Sequence, residues 1–338
     1  MDKINWQEIN KELTELNEKL GQLQKEQTAL VHKIAEGKKA EGISDSDQAQ
    51  EAEQPGSHRQ EAPKEIIPVG FQGVEGAYGH VAVLKYFQGK NIKTTHYPLF
   101  EDVVKAVVDK KVRYGVIPIE NSSTGGITEA YDLIRRYGCF IVGEQLVKVE
   151  HCLLAWPGTK GEDIKEVYSH PQGFAQCRSY FRQHPKMELL NYFNTAKSAE
   201  LVSQKKTNYM AAVAGAQAAE LYGLEILARG INDNNNNYTR FFVIAAEPEP
   251  SPQANKITLV LTLKHEPGSL YNALGRFAAN GINMLNIESR PLEGKSWEYF
   301  FHIDISGNLI DANVQKALNE IEVDGSCRVL GNYVAAQS

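Results

Sequence analysis

Cysteine is scarce in this 338-residue chain, and what there is does not cluster. Cys139, Cys152, Cys177 and Cys327 include no Cys-x-x-Cys pair, which argues against a zinc knuckle or a disulfide framework and reads them as buried thiols. No apolar run approaches the roughly 20 residues of a membrane span. The acidic, amphipathic start also lacks the continuous apolar stretch of a secretory leader, so a cytoplasmic chain with no membrane attachment is expected. Positive charge is short too: 36 Lys and Arg against 42 Asp and Glu leave a net charge of -6, much of it in the first 66 residues. That balance excludes the basic footprint of a nucleic-acid binder. What is present is an ordinary globular mixture, 42% apolar and 23% charged, in a chain longer than one core usually serves, so two or three folded units are expected.

The units separate by pattern. Within residues 1–36, Ile9, Leu13, Leu16, Leu20, Leu23, Leu30 and Ile34 step in fours and threes, with Gln27 in the one polar place of the series. This is a heptad seam, a coiled-coil helix that needs a partner. Residues 37–65 are rich in Ser, Glu, Gln, Ala and Pro with scarcely an apolar side chain, and read as a disordered linker. From 66 to 246 short apolar runs alternate with helical patterns, the signature of an α/β domain. From 256 to 334 the order strand, helix, strand, strand, helix, strand predicts a ferredoxin-like βαββαβ unit.

Polar turns punctuate the α/β domain where strands give way to helices. The first is Gly73-Val74-Glu75-Gly76-Ala77-Tyr78-Gly79. Such a turn offers backbone N–H groups to an anion, yet it has neither P-loop nor dinucleotide spacing, and taken alone a tight turn that needs glycine explains Gly73 and Gly76 better. The second, Glu120-Asn121-Ser122-Ser123-Thr124-Gly125-Gly126, holds more hydroxyls and amides than one helix cap requires. The third is Ser169-His170-Pro171-Gln172-Gly173 before a helix carrying Phe174, Cys177 and Tyr180, and the fourth is Asn194-Thr195-Ala196. A run of four asparagines then passes into Tyr238-Thr239-Arg240-Phe241, where a loop becomes a strand. Ligands of open α/β sheets bind beyond the carboxyl ends of strands, so these junctions predict two lobes and a cleft for a small anion.

Together the turn Gly73-x-x-Gly76-x-Tyr78, the runs Pro118-Ile119-Glu120-Asn121-Ser122 and Ser169-His170-Pro171-Gln172, the turn Asn194-Thr195-Ala196 and Thr239-Arg240-Phe241 resemble prephenate dehydratase in order and spacing. The last unit resembles the ACT domain that follows in that family, with Pro267-Gly268-Ser269-Leu270 and Glu288-Ser289-Arg290-Pro291 at its phenylalanine-binding positions. The resemblance covers nearly everything after Ile66. It implies a two-lobed, periplasmic-binding-protein-like catalytic domain and a reaction in which prephenate loses carbon dioxide and a ring hydroxyl to give phenylpyruvate. It also implies feedback by L-phenylalanine at Gly268, Ser269, Leu270, Glu288, Ser289 and Arg290, and homodimers or homotetramers through the ACT domain and the N-terminal coiled coil.

That chemistry needs anion donors and one proton donor, but no metal or redox cofactor. By resemblance Thr239 is the proton donor or hydrogen-bonding partner of the leaving hydroxyl, and because threonine is a poor acid it acts by stabilising charge as it develops. Arg240 is expected either to grip a substrate carboxylate or to pair with a structural acid. Asn121, Ser122 and Thr195 are candidate catalytic contacts, with Gly76, Ala77, Tyr78, Asn194, Ala196 and Phe241 lining the substrate. Glu120, a carboxylate beside a dianion, is expected at the site in an orienting role, and His170 and Gln172 are expected to support the contacting residues from behind.

Two departures from the family pattern stand out. Gly79 replaces a common Ser or Thr, which removes one hydroxyl ligand. The N-terminal helix resembles the first helix of a fused chorismate mutase, but Asn10 and Gln27 stand where catalytic arginines belong and the linker replaces the remaining helices, so no mutase activity is expected. Two other functions fit the same motifs: an arogenate dehydratase, and a non-catalytic two-lobed amino-acid sensor.

Overall fold

The computed structural model describes residues 65–292, 298–323 and 325–337. The heptad segment and nearly all of the expected linker lie outside them.

The first lobe comprises β1 (Ile67–Gln72), α1 (Tyr78–Tyr86), β2 (Ile92–Tyr97), α2 (Phe100–Val108), β3 (Tyr114–Asn121), the two-residue β4 (Gly125–Gly126), α3 (Thr128–Tyr137) and β5 (Phe140–Lys148). The chain then builds the second lobe from β6 (Cys152–Ala155), β7 (Glu166–Ser169), α4 (Pro171–Ala175), α5 (Arg178–Arg182), β8 (Glu188–Asn191), α6 (Thr195–Lys205), β9 (Met210–Ala214), α7 (Ala216–Tyr222) and β10 (Glu225–Ala228). It returns as β11 (Tyr238–Ala245), inserted antiparallel between β3 and β5, so the first sheet runs β2-β1-β3-β11-β5 and the second β10-β6-β9-β7-β8. A central strand is buried on both faces, which is why Phe241 to Ala245 is continuously apolar.

Alternation along β11 decides what each residue meets. Phe241, Val243 and Ala245 enter one core with Val69, Phe71, Val81 and Phe87. Phe242 and Ile244 enter the other, which also contains Ile117, Ile119 and Tyr131 and continues into Val260, Phe300, Leu330 and Tyr333 of the C-terminal domain. That domain is β12 (Lys256–Leu263), α8 (Ser269–Ala279), β13 (Met284–Pro291), β14 (Tyr299–Ser306), α9 (Ala312–Glu322) and β15 (Gly325–Tyr333), with sheet order β13-β14-β12-β15. One sheet face packs its helices through Ile257, Leu259, Leu261, Ile303 and Ile305, and the other lies on the first lobe. The two are so close that a β-carbon at Gly331 would run into the Ile141 carbonyl oxygen, which leaves glycine as the residue that fits the crossing of β15 over β5.

One element differs from its expected form. The helix through Phe174, Cys177 and Tyr180 is two helices, broken at Gln176-Cys177. Asp233, from the chain returning to the first lobe, causes the break: its N–H donates to the Gln176 carbonyl, and its carboxylate accepts from Ser179 N at 2.9 Å, capping the second helix. Cys139, Cys152 and Cys177 are buried free thiols. Burial pushes Cys177 up to about 12 and Cys139 to about 11, so they stay protonated and unreactive.

Candidate functional site

Thr239 lies at the start of β11, where the chain re-enters the first lobe, and is 8% exposed. Its Oγ1 accepts from Asn121 Nδ2 at 2.9 Å. That occupies one of its two lone pairs and leaves the O–H proton able to donate. Asn121 is a hub. Its Nδ2 also donates to Asn237 Oδ1 at 2.8 Å, and its Oδ1 accepts from Ser123 N, Thr124 N and Thr124 Oγ1 at 3.0, 3.1 and 3.2 Å, so the polar turn after β3 is folded around one amide.

A β-bulge makes that meeting geometrically available. Arg240 pairs with Glu120 and Phe241 with Pro118, leaving Ile119 as the extra residue on β3. Ile117 and Ile119 face the C-terminal domain. Plain alternation would send Asn121 the same way, and the bulge instead puts Asn121 on the face of Thr239 and Glu120 on the face of Arg240.

The lobes meet beside this pair. Gln172 Nε2 of the second lobe donates to Thr124 Oγ1 of the first at 3.2 Å, and Asn234 Nδ2 reaches Ser123 Oγ at 3.4 Å. On the other rim, a β-carbon at Gly76 would lie 3.2 Å from Leu221, and the Tyr222 hydroxyl donates to the Glu75 carbonyl at 3.2 Å. Asn194 caps α6 by accepting from Lys197 N at 2.7 Å, with Thr195 as the first helical residue beside Gly173.

Several sequence-derived contacts are committed elsewhere, and these are corrections. Arg240 does not face Thr239's side. Its guanidinium meets Glu120 Oε2 at 3.0 Å, Asp304 Oδ2 at 2.6 Å, Glu144 Oε2 at 3.4 Å and the Tyr131 hydroxyl at 3.2 Å, so of its two expected roles the structure shows pairing with buried acids. Burial works against its charge, but Asp304, Tyr131 and Tyr333 together outweigh this and hold the guanidinium still more firmly protonated. Glu120, expected in an orienting role, accepts from Arg240 at 3.0 Å. Phe241 is 2% exposed within the first-lobe core, and Ala196 is fully buried, each because its side chain points inward from its element.

Ser122 is used twice by the neighbouring loop, donating to the Asn236 carbonyl and accepting from Tyr238 N. The Gly76 and Ala77 N–H groups donate to His80 Nδ1 and the Val74 carbonyl. His170 caps α4, its Nδ1 accepting from Gln172 N at 3.2 Å. Position 79 is packed rather than open: a β-carbon there would stand 2.9 Å from the Gln72 carbonyl oxygen.

The sequence reading missed the crossover itself. Tyr78 donates to the Glu150 carbonyl at 3.0 Å and meets His151 Nδ1 at 3.2 Å, while His151 Nε2 meets Gln176 Oε1 at 2.8 Å. Asn232 brackets the same segment, donating to the Val149 carbonyl and accepting from His151 N. The two connections between lobes are therefore tied to each other, and the polar run Asn232 to Asn237 was the available signal. In the C-terminal domain, Arg290 pairs with Asp132 of α3 at 2.6 Å, and Glu288 lies against Gly126, so two of the six expected phenylalanine contacts face the first lobe. Gly268, with φ of 87°, caps α8 ahead of Ser269 and Leu270, and Ser289 is exposed on β13. No group of three or more His, Cys, Asp or Glu able to hold a metal occurs among the described residues, and no helix there is long and apolar enough to cross a membrane.

Two α/β lobes joined by paired crossovers, with a βαββαβ module laid on one of them, define a two-lobed α/β protein with a ferredoxin-like C-terminal module. Residues 69–249 match the family model for prephenate dehydratase and residues 257–323 that for the ACT domain, and the chain belongs to the prephenate dehydratase family. Arogenate dehydratase/prephenate dehydratase 1 of Arabidopsis thaliana is 38% identical over 284 residues, covering 79% of this chain and 72% of its own. The bifunctional chorismate mutase/prephenate dehydratase of Escherichia coli K12 is 35% identical over 270 residues, covering 78% and 70%. Among solved structures, GqqA, described as a quorum-quenching acylase, superposes with a TM-score of 0.73 at 34% identity, covering 79% of this chain and 98% of that one. Prephenate dehydratase of Arthrobacter aurescens in complex with L-Phe gives 0.70 at 31% identity, covering 79% and 90%.

Proposed function

We propose that the protein converts prephenate to phenylpyruvate with loss of carbon dioxide and water, under feedback by L-phenylalanine at its ACT domain. The observation that carries this is the Thr239 hydroxyl, fixed by Asn121 at 2.9 Å in a family whose reaction expels a hydroxyl. As the ring carboxylate leaves as carbon dioxide, its bonding electrons enter the ring and push out the hydroxyl opposite. Thr239 hydrogen-bonds that oxygen as negative charge builds on it, and Asn121 keeps the threonine oxygen from turning away. Aromatisation supplies the driving force, and the departing hydroxide takes up a proton from solvent to leave as water. Asn194 and Thr195, at the N-terminus of α6, are the proposed contacts from the second lobe, where the helix favours a carboxylate.

The test is phenylpyruvate formation from prephenate by the wild type and by Thr239→Ala, with and without L-phenylalanine. Turnover lost in the variant supports the reading, while no turnover by the wild type overturns it. Arogenate, which carries an amino group where prephenate has a keto group, is the second substrate to compare, since the Arabidopsis relative is named for both reactions. Absence of chorismate mutase activity is also proposed, from Asn10 and Gln27, and chorismate consumption by the purified chain would refute it. A cytoplasmic homodimer or homotetramer assembled through the ACT domain and the N-terminal segment completes the reading.

A further inference from the structure

The face of β11 opposite Thr239 meets an ionic cluster built half from the catalytic lobe and half from the ACT domain. Two cations, Arg240 and Lys256, lie among two carboxylates, Glu144 and Asp304, whose side chains are 4% and 1% exposed. Glu120 adds a third carboxylate at the margin, 41% exposed. Asp304 is held at both oxygens: Oδ2 accepts from Arg240 Nη1 at 2.6 Å and Oδ1 from Thr258 Oγ1 at 2.7 Å. Thr258 in turn meets the Tyr333 hydroxyl at 2.8 Å, which anchors Asp304 within the ACT sheet. Arg240 continues to Glu120, with Nε and Nη2 both on Oε2 at 3.2 and 3.0 Å. It thereby ties β11 to β3 one residue from the Thr239–Asn121 pair, at the bulge that aims Asn121.

We propose that Asp304 of the ACT domain is a positioning residue for the dehydration, acting through Arg240 and Glu120 on the bulge that sets Thr239 Oγ1 against Asn121 Nδ2. The inference rests on Thr239 being the reacting hydroxyl. Lys256 with Glu144 forms a second buried pair beside this line, reaching it at Arg240 (3.4 Å from Glu144) and at Asp304 (3.7 Å from Lys256), but it makes no contact with Glu120 on the bulged strand. The Asp304–Arg240–Glu120 line adds a path from the ACT sheet to the register of the two strands that carry the site, and an ACT domain shifted on the first lobe would draw Arg240 with it.

The experiment compares steady-state kinetics on prephenate for the wild type, Asp304→Asn, Arg240→Met and the double variant, at temperatures below each melting point. Asp304→Asn is expected to lower kcat roughly 10- to 100-fold, the cost of a small misplacement of a reacting group. KM should change by less than about threefold, because binding from the second lobe is untouched. In the Arg240→Met background the same change should cost nothing further. Asp304→Glu, which keeps the charge, should recover part of the loss and serves where Asn fails to fold.

Arg328→Met removes a different contact between the domains, the hydrogen bond to the Arg135 carbonyl, and should leave kcat unchanged. Unchanged kcat in Asp304→Asn, or an equal loss in Arg328→Met, overturns the proposal. A wild type inactive on prephenate refutes the functional reading instead. The positioning is then judged by a crystal structure of Asp304→Asn, where an undisturbed Asn121–Thr239 bond overturns it and a broken one upholds it.

Discussion

Thr239 and Arg240 are neighbours on one strand, yet they answer to different domains. Thr239 turns to Asn121, an uncharged partner that occupies one of its two lone pairs and leaves its proton able to donate. Arg240 turns to Glu120, Glu144 and Asp304, where its donors are spent on carboxylates of two domains. A run of adjacent polar residues is thus divided by the two-residue period of a strand, the proposed reacting hydroxyl on one face and an ionic cluster on the other. The same division recurs on β3, where Glu120 and Asn121 take opposite faces and the bulge decides which face each one meets.

The largest effect expected from breaking this comparison is on rate. Thr239→Ala should lower kcat/KM by about 100- to 10,000-fold, with a change in unfolding free energy of at most about 2 kcal/mol, since one neutral hydrogen bond is lost. Kinetics and denaturant melts of the same preparation check both halves. Arg240→Ala should show the reverse emphasis. Leaving Asp304 and Glu144 buried with too few cations should cost about 3 to 5 kcal/mol, read as a drop in the urea midpoint.

How much of this was legible follows the range of the interactions. The βαββαβ order and the strand carrying Thr239 were readable because periodicity and turn chemistry are local. Asn121 was readable as a candidate because a cluster of hydroxyls and amides exceeds the needs of a cap. The bulge at Ile119 was not, since nothing in Pro118-Ile119-Glu120-Asn121 distinguishes plain alternation from one inserted residue. Arg240's direction depended on Asp304, 64 residues further on in another domain. The crossover ties among Tyr78, Glu150, His151 and Gln176 were hidden for the same reason, their partners lying far apart in sequence.

A third test probes the buried face without touching Arg240. His302 is fully buried on β14 against the rings of Tyr131 and Phe300, at 4.7 and 5.3 Å, and neither ring nitrogen finds a hydrogen-bond partner among the described residues. Burial chiefly, with Arg135 and Arg290 nearby, lowers it to about 4 despite Asp132 and Asp304. Unfolded, the same histidine titrates near 6.5. Between these values the unfolded chain binds the extra proton, so this contribution is fully present above about 6.5 and is lost as pH falls towards 4, by about 3 kcal/mol. His302→Phe should flatten that part of the stability-versus-pH curve and be neutral or stabilising at pH 7, because no hydrogen bond is sacrificed. An unchanged acid slope would place the titrating group elsewhere.

The smallest effect belongs to the other ion pair across the same interface. Arg290 reaches Asp132 at 2.6 Å, as short as Arg240 to Asp304, but its partners are 28% and 26% exposed where those of the buried pair are 10% and 1%. Distance is equal, so burial and the further carboxylates around Arg240 separate the two pairs. Water competes for the Arg290 guanidinium and salt screens it, and a double-mutant cycle between Asp132→Asn and Arg290→Gln should give a coupling below about 1 kcal/mol. It should shrink further in 1 M salt, whereas coupling between Arg240 and Asp304 should survive the same salt. Comparable couplings in the two cycles would mean that the cluster behind Thr239 is no drier than the rim, and the contrast between the faces of β11 would then rest on direction alone.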